Sequence, residues 1–344
     1  MSARSADGCD SCHFAPHALR GWTRRQALAG AAAFGMAPLF GCMSVPPIDR
    51  FRPEDRRRAV PNHDEPPKGP IPSGIRAPLD ADRIGTIRRV ETQEKVCAFT
   101  FDLCELAVVT TGYDARSIGI LRREGIPASL FLGGKWMRTH AERTKELMAD
   151  PLFEIGNHAW AHGNFGIMTK ARMLEEIRWT DAEWRILRQE VLEEARRAGR
   201  PAPVIPEALR FFRLPYGRCS TEALKLLAAE GLDVVQWTLG ADSIDEGSPA
   251  ATGRRIAKRI RPGDIMLFHA NLVPKHDAEI LLAAADALRE EGFRFLKVSD
   301  LLRCGRPVRT MDGYFEHPGD NLSLDGLYGV DGTGRRRAKP KTTA

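Results

Sequence analysis

The segment 96–133 reads VCAFTFDLCELAVVTTGYDARSIGILRREGIPASLFLG, and it holds the unit on which the expected fold rests. An apolar run at 96–102 precedes a helix-like segment at 115–124, and a second apolar run follows at 127–133. Runs of this length and composition are typical of buried strands. Strand, helix and strand in succession predict two parallel strands joined by a crossover helix.

The same alternation continues along the chain. Further strand-like runs lie at 153–158, 211–216, 233–239, 265–269 and 293–298. Helix-like segments lie at 141–149, 169–198, 221–230, 250–260 and 277–290. Regular alternation predicts an α/β fold, a parallel sheet or barrel with helices outside. Folds of this kind place their chemistry at the C-terminal ends of the strands.

The charge of the chain is concentrated at its two ends. Its 344 residues include 51 basic and 45 acidic side chains, for a formal charge of +6. Residues 1–89 carry +5 and residues 305–344 carry +2, while the intervening body carries −1. The 43% hydrophobic content excludes a wholly disordered chain, and seven cysteines exclude a disulfide-dense miniprotein. A body near neutrality does not indicate a nucleic-acid partner.

The N-terminal residues are typical of an export signal. Arg24 and Arg25 precede an apolar stretch at 27–40, which is too short to span a bilayer, and Cys42 follows in a lipobox-like context. We expect a twin-arginine signal at 1–42, with a lipid anchor on Cys42 that attaches the protein to a membrane. The expected location is the periplasm or a membrane surface; a buried Ala-rich helix is the alternative interpretation.

Three further segments complete the expected organisation. Residues 43–90 are rich in proline and charge and are interpreted as an extended tether. Residues 91–304 contain nearly all of the periodic apolar sequence and form the predicted catalytic domain. Residues 305–344 are interpreted as a Gly/Arg-rich, solvated tail.

Polar, ionisable residues close the apolar runs of the body. They are Asp102, the pair His158 and His162, Arg213, Asp242 and His269. If the strands are parallel, all of them gather at one rim. Two histidines and a carboxylate can hold a divalent metal, a second carboxylate can accept a proton from water, and a further histidine can protonate a leaving amine. Each signal alone is weak, but together and in this order they predict hydrolysis of an amide or ester.

This order of motifs resembles the polysaccharide deacetylase family, carbohydrate esterase family 4. The matching segments are TFDLCE at 100–105, the spacing of His158 and His162, RLPY at 213–216, Trp237 with the later Asp242 and Asp245, and LFH at 267–269. The resemblance covers residues 96–302. It implies a distorted (β/α) barrel of about seven parallel strands. It also implies removal of N-acetyl groups from a sugar polymer, with a divalent metal, commonly zinc, as cofactor.

The resemblance also implies a role for each matching residue. Asp102 is the expected general base, oriented by Arg213, and His269 is the expected general acid, tuned by Asp242. His158 and His162 are expected to bind the metal. The substrate is expected to contact the Tyr216 backbone N–H, Leu267 in the acetyl-methyl pocket, and the wall formed by Trp237.

One departure from the family pattern concerns the third metal ligand. The second aspartate of the family's first motif is Leu103 here, which cannot bind a metal. Glu105 is the preferred replacement, because an oxygen ligand suits a His-His-carboxylate site. Cys104 is the other candidate, since side chains alternate along a strand and it shares a face with Asp102. Two further alternatives stay open: Asp102 binds the metal with Glu105 as base, or metal binding is lost.

We therefore expect an exported, lipid-anchored, metal-dependent hydrolase acting on an N-acetylated envelope or extracellular polysaccharide, with no nucleic acid as partner. A catalytically inactive glycan-binding lipoprotein is a second hypothesis, motivated by Leu103. An O-acetyl esterase or small-amide hydrolase on the same fold is a third. Cys97, Cys104, Cys219 and Cys304 are compatible with free thiols or with a disulfide near the site. The oligomeric state is left open.

Overall fold

The computed structural model describes residues 50–56, 66–67, 73–273 and 277–327, all of which fall in one compact unit. The expectations about the export signal, the Cys42 anchor and the arginine cluster at 335–337 lie outside these residues. In the part of the chain that is described, no helix is both long and apolar enough to cross a membrane.

The described elements alternate much as the apolar pattern indicates. The strands are β1 (Thr86–Glu91), β2 (Val96–Leu103), β3 (Ala128–Leu132), β4 (Phe153–Asn157), β5 (Phe211–Phe212), β6 (Asp233–Val235), β7 (Leu239–Gly240), β8 (Ile265–His269), β9 (Arg294–Phe295) and β10 (Arg306–Thr310). The helices are α1 (Ala115–Arg123), α2 (Gly134–Thr139), α3 (Ala141–Ala149), α4 (Lys170–Arg197), α5 (Thr221–Ala229), α6 (Pro249–Arg259), α7 (Asp277–Glu290), α8 (Val298–Leu301) and α9 (Leu324–Leu327).

The strands form one curled, mainly parallel sheet. Their order is β10-β1-β6-β5-β4-β3-β2-β8-β7, and β9 pairs with the start of β2. Every pair is parallel except β1 with β10. The sheet curls into a half-barrel with helices, which confirms the prediction of a distorted (β/α) barrel.

Burial on both faces of the sheet explains why its strands are continuous apolar runs. All eight residues of β2 are buried, as expected for a parallel strand covered on both sides. Helix α4 packs with a stripe that includes Ile177, Trp184 and Leu187, all at most 3% exposed. The stripe faces the core, since residues three, four and seven apart share one face of a helix.

The folded unit extends beyond the expected boundaries of the catalytic domain. β1 begins at Thr86, inside the segment interpreted as tether, and β10 occupies 306–310, inside the segment interpreted as tail. Asp55 is also packed, because its buried carboxylate pairs with Arg143 at 2.6 Å. The two strands were missed because β10 lies at the sheet edge, where arginine and proline are tolerated, and because buried Arg88 made β1 resemble a linker.

The predicted apolar runs were longer than the strands that form. The run at 233–239 divides into β6 and β7, the run at 211–216 contributes only two strand residues, and Val298 begins α8 instead of extending β9. Tight turns at the strand ends account for these differences. They are also the places where the polar residues of the motifs lie.

Candidate active site

The parallel register brings the polar strand ends to one edge of the sheet. Asp102 in β2 is directly opposite His269 in β8, and Leu132 at the end of β3 is opposite Asn157 at the end of β4. His158 follows Asn157, so it enters the same edge. The expectation that these groups would gather at one rim is met by the geometry.

Asp102 and Arg213 form a buried ion pair at the bottom of the site. Arg213 Nη1 donates to Asp102 Oδ1 at 3.0 Å and to Thr100 Oγ1 at 2.8 Å. Its Nε donates to Val235 O at 3.0 Å, and its guanidinium lies 4.0 Å from the centre of the Phe131 ring. Burial lowers the pKa of Arg213, and Asp102 opposes that shift. The pair therefore fixes the orientation of the carboxylate and occupies one of its oxygens.

The two histidines lie on a tight loop after β4. Ala159 and His162 both have positive φ angles, 65° and 58°, a conformation that non-glycine residues adopt only when their surroundings hold them there. The fully buried Glu176 of α4 supplies such support, because its carboxylate accepts from Ala161 N at 2.7 Å and also bonds the backbone N–H groups of Trp160 and Gly163. Sequence reasoning missed Glu176; the signal was an acidic residue inside the apolar stripe of α4.

Both histidines are neutral and turn a nitrogen into the site. His158 Nδ1 lies 2.9 Å from Arg213 O and must donate to it, so Nε2 carries the lone pair. This Nε2 lies 3.4 Å from Asp102 Oδ2 and has no hydrogen-bond partner among the described residues; the same holds for His162 Nδ1. Burial lowers the pKa of His158 to about 3 and lowers that of His162 well below its usual range. Buried, neutral and unpartnered imidazole nitrogens are suited to a metal ion.

The third member of this cluster is Cys104. Ligand atoms from Cys104, His158 and His162 all lie within 4.8 Å of one another. Leu103 is fully buried in the core, so the bend after β2 leaves Cys104 facing the cavity. A divalent metal ion therefore fits these three residues by burial, by donor chemistry and by distance.

Glu105, which was preferred as the third ligand, is placed elsewhere. Its Oε1 accepts from Thr111 N at 3.1 Å and its Oε2 accepts from Thr139 Oγ1 at 2.9 Å. The side chain is thus turned away from the two histidines and stabilises the loop that follows β2. The physical reason is that the strand ends at Leu103, and the bend that follows carries Glu105 to Thr111 and Thr139, which donate to both of its carboxylate oxygens.

His269 and Asp242 form a second charged pair across the cavity. His269 Nδ1 donates to Asp242 Oδ2 at 2.6 Å. Burial by itself would lower the pKa of His269, but the charge and hydrogen bond of Asp242, with smaller contributions from Asp102 and Asp277, raise it to about 9. The imidazole is therefore protonated at neutral pH, with its other nitrogen, Nε2, able to donate a proton. Burial, followed by the negative charge of Asp242, raises the pKa of Asp277 to about 8.

A cavity of about 910 Å³ connects these groups. Among the residues predicted from sequence, it is lined by Asp102, His162, Tyr216, Trp237, Asp242, Leu267 and His269. His158 and Arg213 lie directly behind Asp102, at 1% and 0% exposure. Asn271 also lines the cavity and donates to Cys104 O at 3.3 Å. It was missed, although it follows β8 by two residues and so carried the same strand-end signal.

One wall of the cavity comes from a segment that was expected to be a tail. We call residues 311–327 the C-terminal strap; Phe315, Glu316, His317 and Asp320 of this segment line the cavity. Asp320 accepts from the backbone N–H groups of the first three, at 2.7–2.9 Å, and so closes the strap into a turn. No motif in the sequence marked this contribution.

Several contacts attach the C-terminal strap to the barrel, among them those of Arg88, Asn321 and Arg218. Buried Arg88 donates to Tyr314 O at 2.9 Å and to Phe315 O at 2.7 Å. Asn321 Nδ2 donates to Tyr216 O at 3.0 Å, at a residue whose own φ is 58°. Arg218 and Asp325 form a further ion pair at 2.8 Å. The strap therefore holds the turn that presents Tyr216 to the cavity.

The cysteines of the described region are all free. Cys97, Cys104 and Cys219 are buried and Cys304 is partly buried, with no disulfide between them. The possible disulfide near the site does not form, and Cys104 keeps its sulfur available to the cavity.

Comparisons with known proteins agree with this geometry. Residues 89–235 match the family model described as "Polysaccharide deacetylase". A peptidoglycan-N-acetylglucosamine deacetylase of Bacillus cereus is 24% identical over 217 residues, which is 62% of this chain and 91% of that protein. A chitooligosaccharide deacetylase of Rhizobium leguminosarum bv. phaseoli is 26% identical over 159 residues, 46% of this chain. Two of the curated relatives are matched over only 53% and 62% of their own length.

Solved structures share the fold. A carbohydrate esterase family 4 pseudoenzyme from Bacillus anthracis superposes with a TM-score of 0.53 at 21% identity, over 65% of this chain and 70% of that one. A mutant of this pseudoenzyme with restored enzymatic activity has also been solved. At this identity the likeness concerns the fold alone.

Proposed function

We propose that the protein is a metal-dependent hydrolase that removes N-acetyl groups from an N-acetylated envelope or extracellular glycan. The match of residues 89–235 to the polysaccharide deacetylase family model and the similarity to a peptidoglycan-N-acetylglucosamine deacetylase support this proposal. The observation that carries the proposal is that a carboxylate able to accept a proton and an imidazolium able to donate one lie across the same cavity. Asp102 is held by Arg213 on one side, and protonated His269 is held by Asp242 on the other.

The donor cluster supports a divalent cation, with zinc as our proposal. His158, His162 and Cys104 would hold it, because their ligand atoms converge and two of them are otherwise buried without a partner among the described residues. When bound there, such an ion would polarise a carbonyl oxygen and make water more acidic. Neutral imidazoles are the form that binds a metal, so the low pKa of both histidines prepares the site.

The remaining residues provide proton transfer and orientation. Asp102 accepts a proton from the attacking water through Oδ2, since Oδ1 is engaged by Arg213. The water oxygen bonds to the acyl carbon and the C–N bond breaks. His269 Nε2 gives a proton to the leaving nitrogen, because its Nδ1 is held by Asp242. The products are acetate and a free amine. The Tyr216 backbone N–H is proposed to stabilise the oxyanion.

The walls of the cavity support an acetylated sugar as substrate. Leu267 and Trp237 are largely buried apolar side chains at the cavity surface, which suits an acetyl methyl group. Two relatives named as deacetylases act on chitooligosaccharide or peptidoglycan, as their names state. We therefore propose N-acetylglucosamine units within a glycan chain as the substrate class.

The test is acetate release by the purified full-length protein from N-acetylated chitin oligomers and from peptidoglycan. Asp102→Asn should lower kcat/KM by about 10²–10⁴-fold, the range expected for loss of a general base. Asp245→Asn is the matched control, because Asp245 is exposed on the loop after Asp242 and does not line the cavity. Equal activity of Asp102→Asn and wild type would refute the mechanism.

A second candidate function follows from the replacement of the family aspartate by Leu103. A glycan-binding protein without catalysis would bind oligosaccharide but release no acetate, even with metal supplied. Release of acetate from O-acetylated but not from N-acetylated oligomers would instead indicate an esterase. The three outcomes are separated by one assay with both kinds of substrate and a binding measurement.

We further propose that the protein is exported by the twin-arginine route and anchored to a membrane through Cys42. The support is the sequence pattern at 24–42. Fractionation of cells expressing wild type and Cys42→Ala tests it. Release of the variant, but not of wild type, from the membrane fraction is the expected result.

A further inference from the structure

The donor set beneath the cavity differs chemically from the one that the sequence motif implies. The family resemblance implies a carboxylate beside two imidazoles, whereas the structure places a sulfur beside them. This inference rests on the metal site of the proposed function and concerns the identity of its third ligand and the class of ion that it selects.

The backbone after β2 is built so that Cys104 faces the histidines. Its carbonyl accepts from Thr111 Oγ1 at 2.8 Å and from Asn271 Nδ2 at 3.3 Å, which anchors the residue on two sides. Gly133, directly after β3, packs beside this residue, since a Cβ there would lie 3.4 Å from Cys104 Cα and Cβ. The thiol is 8% exposed and cannot turn freely to solvent.

Neither neighbouring carboxylate belongs to the group of converging ligand atoms. Glu105 accepts from Thr111 and Thr139 on the far side of the bend. Asp102 accepts from Arg213 through Oδ1. It does not belong to the group of Cys104, His158 and His162, whose ligand atoms all lie within 4.8 Å of one another. The sulfur is thus the donor that completes the set formed by His158 and His162.

A surrounding layer orients this set. His158 is fixed by its Nδ1–H bond to Arg213 O, so its Nε2 points at the cluster. Asn271 Nδ2 lies 3.8 Å from Cys104 Sγ, at the distance of a weak N–H···S hydrogen bond to the sulfur. Contacts of this kind fix the direction of metal ligands. The arrangement is therefore that of an S,N,N metal site, with the cavity open above it.

We propose that Cys104 Sγ is the third protein ligand and that the site selects a thiophilic divalent cation of the zinc, cobalt and cadmium class over magnesium or manganese. Soft thiolate donors favour the first group, whereas carboxylate and water donors suit the second. With sulfur as the third ligand, Oδ2 of Asp102 remains available for the proposed role as base.

The test is cobalt(II) titration of the metal-free full-length protein, followed by absorption spectroscopy. Wild type should develop a sulfur-to-cobalt charge-transfer band in the near ultraviolet together with visible d–d bands. Cys104→Asp should bind cobalt with d–d bands and no charge-transfer band. Cys304→Ser is the matched control, since that partly buried thiol lies away from the cavity, and it should keep the wild-type spectrum.

Competition titrations with cadmium and manganese measure the selectivity. The ratio of cadmium to manganese affinity should fall by more than about tenfold in Cys104→Asp relative to wild type. Cobalt binding by wild type without a band that depends on Cys104, or an unchanged affinity ratio, would overturn the assignment.

These readouts are independent of catalysis. A Cys104-dependent band in a protein that releases no acetate would count against the proposed function and support the ligand assignment. Acetate release by a protein whose cobalt form lacks the band would support the proposed function and count against the ligand assignment. Circular dichroism of Cys104→Asp verifies that its fold is intact, and retained d–d bands verify that its two histidines still bind.

Discussion

Two parts of the cavity differ in how they are held: its bottom, at the strand ends, and its outer edge, the C-terminal strap, which we call the rim. At the bottom, Asp102, His158 and Arg213 are at most 3% exposed, and each is held by hydrogen bonds within the barrel. At the rim, the C-terminal strap presents Phe315, which is 37% exposed, on a turn attached by a few side chains. Under the proposed function, the chemistry belongs to the buried bottom and substrate contact to the more exposed rim.

The two regions also differ in their relation to known proteins. The bottom residues fall within the segment 89–235 that matches the family model, while the C-terminal strap and β10 lie beyond it. Buried, densely bonded groups tolerate few changes, since a lost partner leaves a polar group unsatisfied. An exposed turn tolerates more, so it is the part of the site where substrate preference can vary.

The largest expected effect lies at the bottom. His158→Ala removes a proposed metal ligand. We expect kcat/KM for acetate release to fall by at least about 10³-fold, the equivalent of about 4 kcal/mol of lost charge stabilisation. Zinc content, measured by mass spectrometry, should fall in parallel. Retained zinc with retained activity would show that the chemistry does not use this cluster.

An intermediate effect is expected from Asp242, across the cavity. The folded pKa of His269 is raised to about 9. The acid form that is proposed to protonate the leaving nitrogen is therefore present below that value and is lost as pH rises through it. Asp242→Asn removes the main group that raises this pKa; Asp102 and Asp277 remain as smaller contributors. The alkaline limb of the kcat profile should move down by about one to two pH units.

The same pair contributes to stability with the same sign. Because the pKa of His269 is higher in the folded state than its value near 6.5 in the unfolded chain, its protonation stabilises the fold. This contribution is complete below about pH 6.5 and disappears as pH rises through about 9. The free energy of unfolding, measured in urea, should therefore differ more between pH 6 and pH 10 for wild type than for Asp242→Asn.

For the kinetic prediction, an alkaline limb of the kcat profile that does not move in Asp242→Asn would exclude His269 as the acid.

The smallest effect is expected at the rim. Phe315→Ala should raise KM for chitin oligomers several-fold with little change in kcat, because it removes an aromatic surface from the cavity wall and leaves Asp102 and His269 untouched. Asn321→Ala loosens the turn at Tyr216 and should lower kcat as well. Steady-state kinetics on a short and a long oligomer separate the two. If Phe315→Ala lowers kcat as much as Asn321→Ala does, the exposed rim affects the chemical step as well, and the distinction between rim and bottom is lost.

Much of the architecture followed from short-range pattern. Alternating apolar runs and helical segments predicted the parallel barrel, and the comparisons confirm that fold. Strand-end position also predicted that Asp102, the histidine pair and His269 would meet, because the C-terminal ends of parallel strands share one edge. The roles assigned to these residues stay predictions until the variants are measured.

Other features could not be found from pattern. β1 and β10 carry arginines and a proline that resemble linker sequence, and only their pairing with each other and with β6 makes them strands. The C-terminal strap lines the cavity although no motif marks it. Glu176 supports the histidine loop from a helix 14 residues after His162.

The sequence by itself determined the fold class and the set of polar residues at the strand ends, since both depend on periodicity and on order along the chain. The tertiary structure decided which sulfur or oxygen faces the histidines and what covers the cavity. Those outcomes depend on the bend after Leu103 and on contacts between residues far apart in the chain, such as Asn271 with Cys104 and Arg88 with Tyr314. Such contacts form only when the barrel brings distant segments together, and local propensity does not encode them.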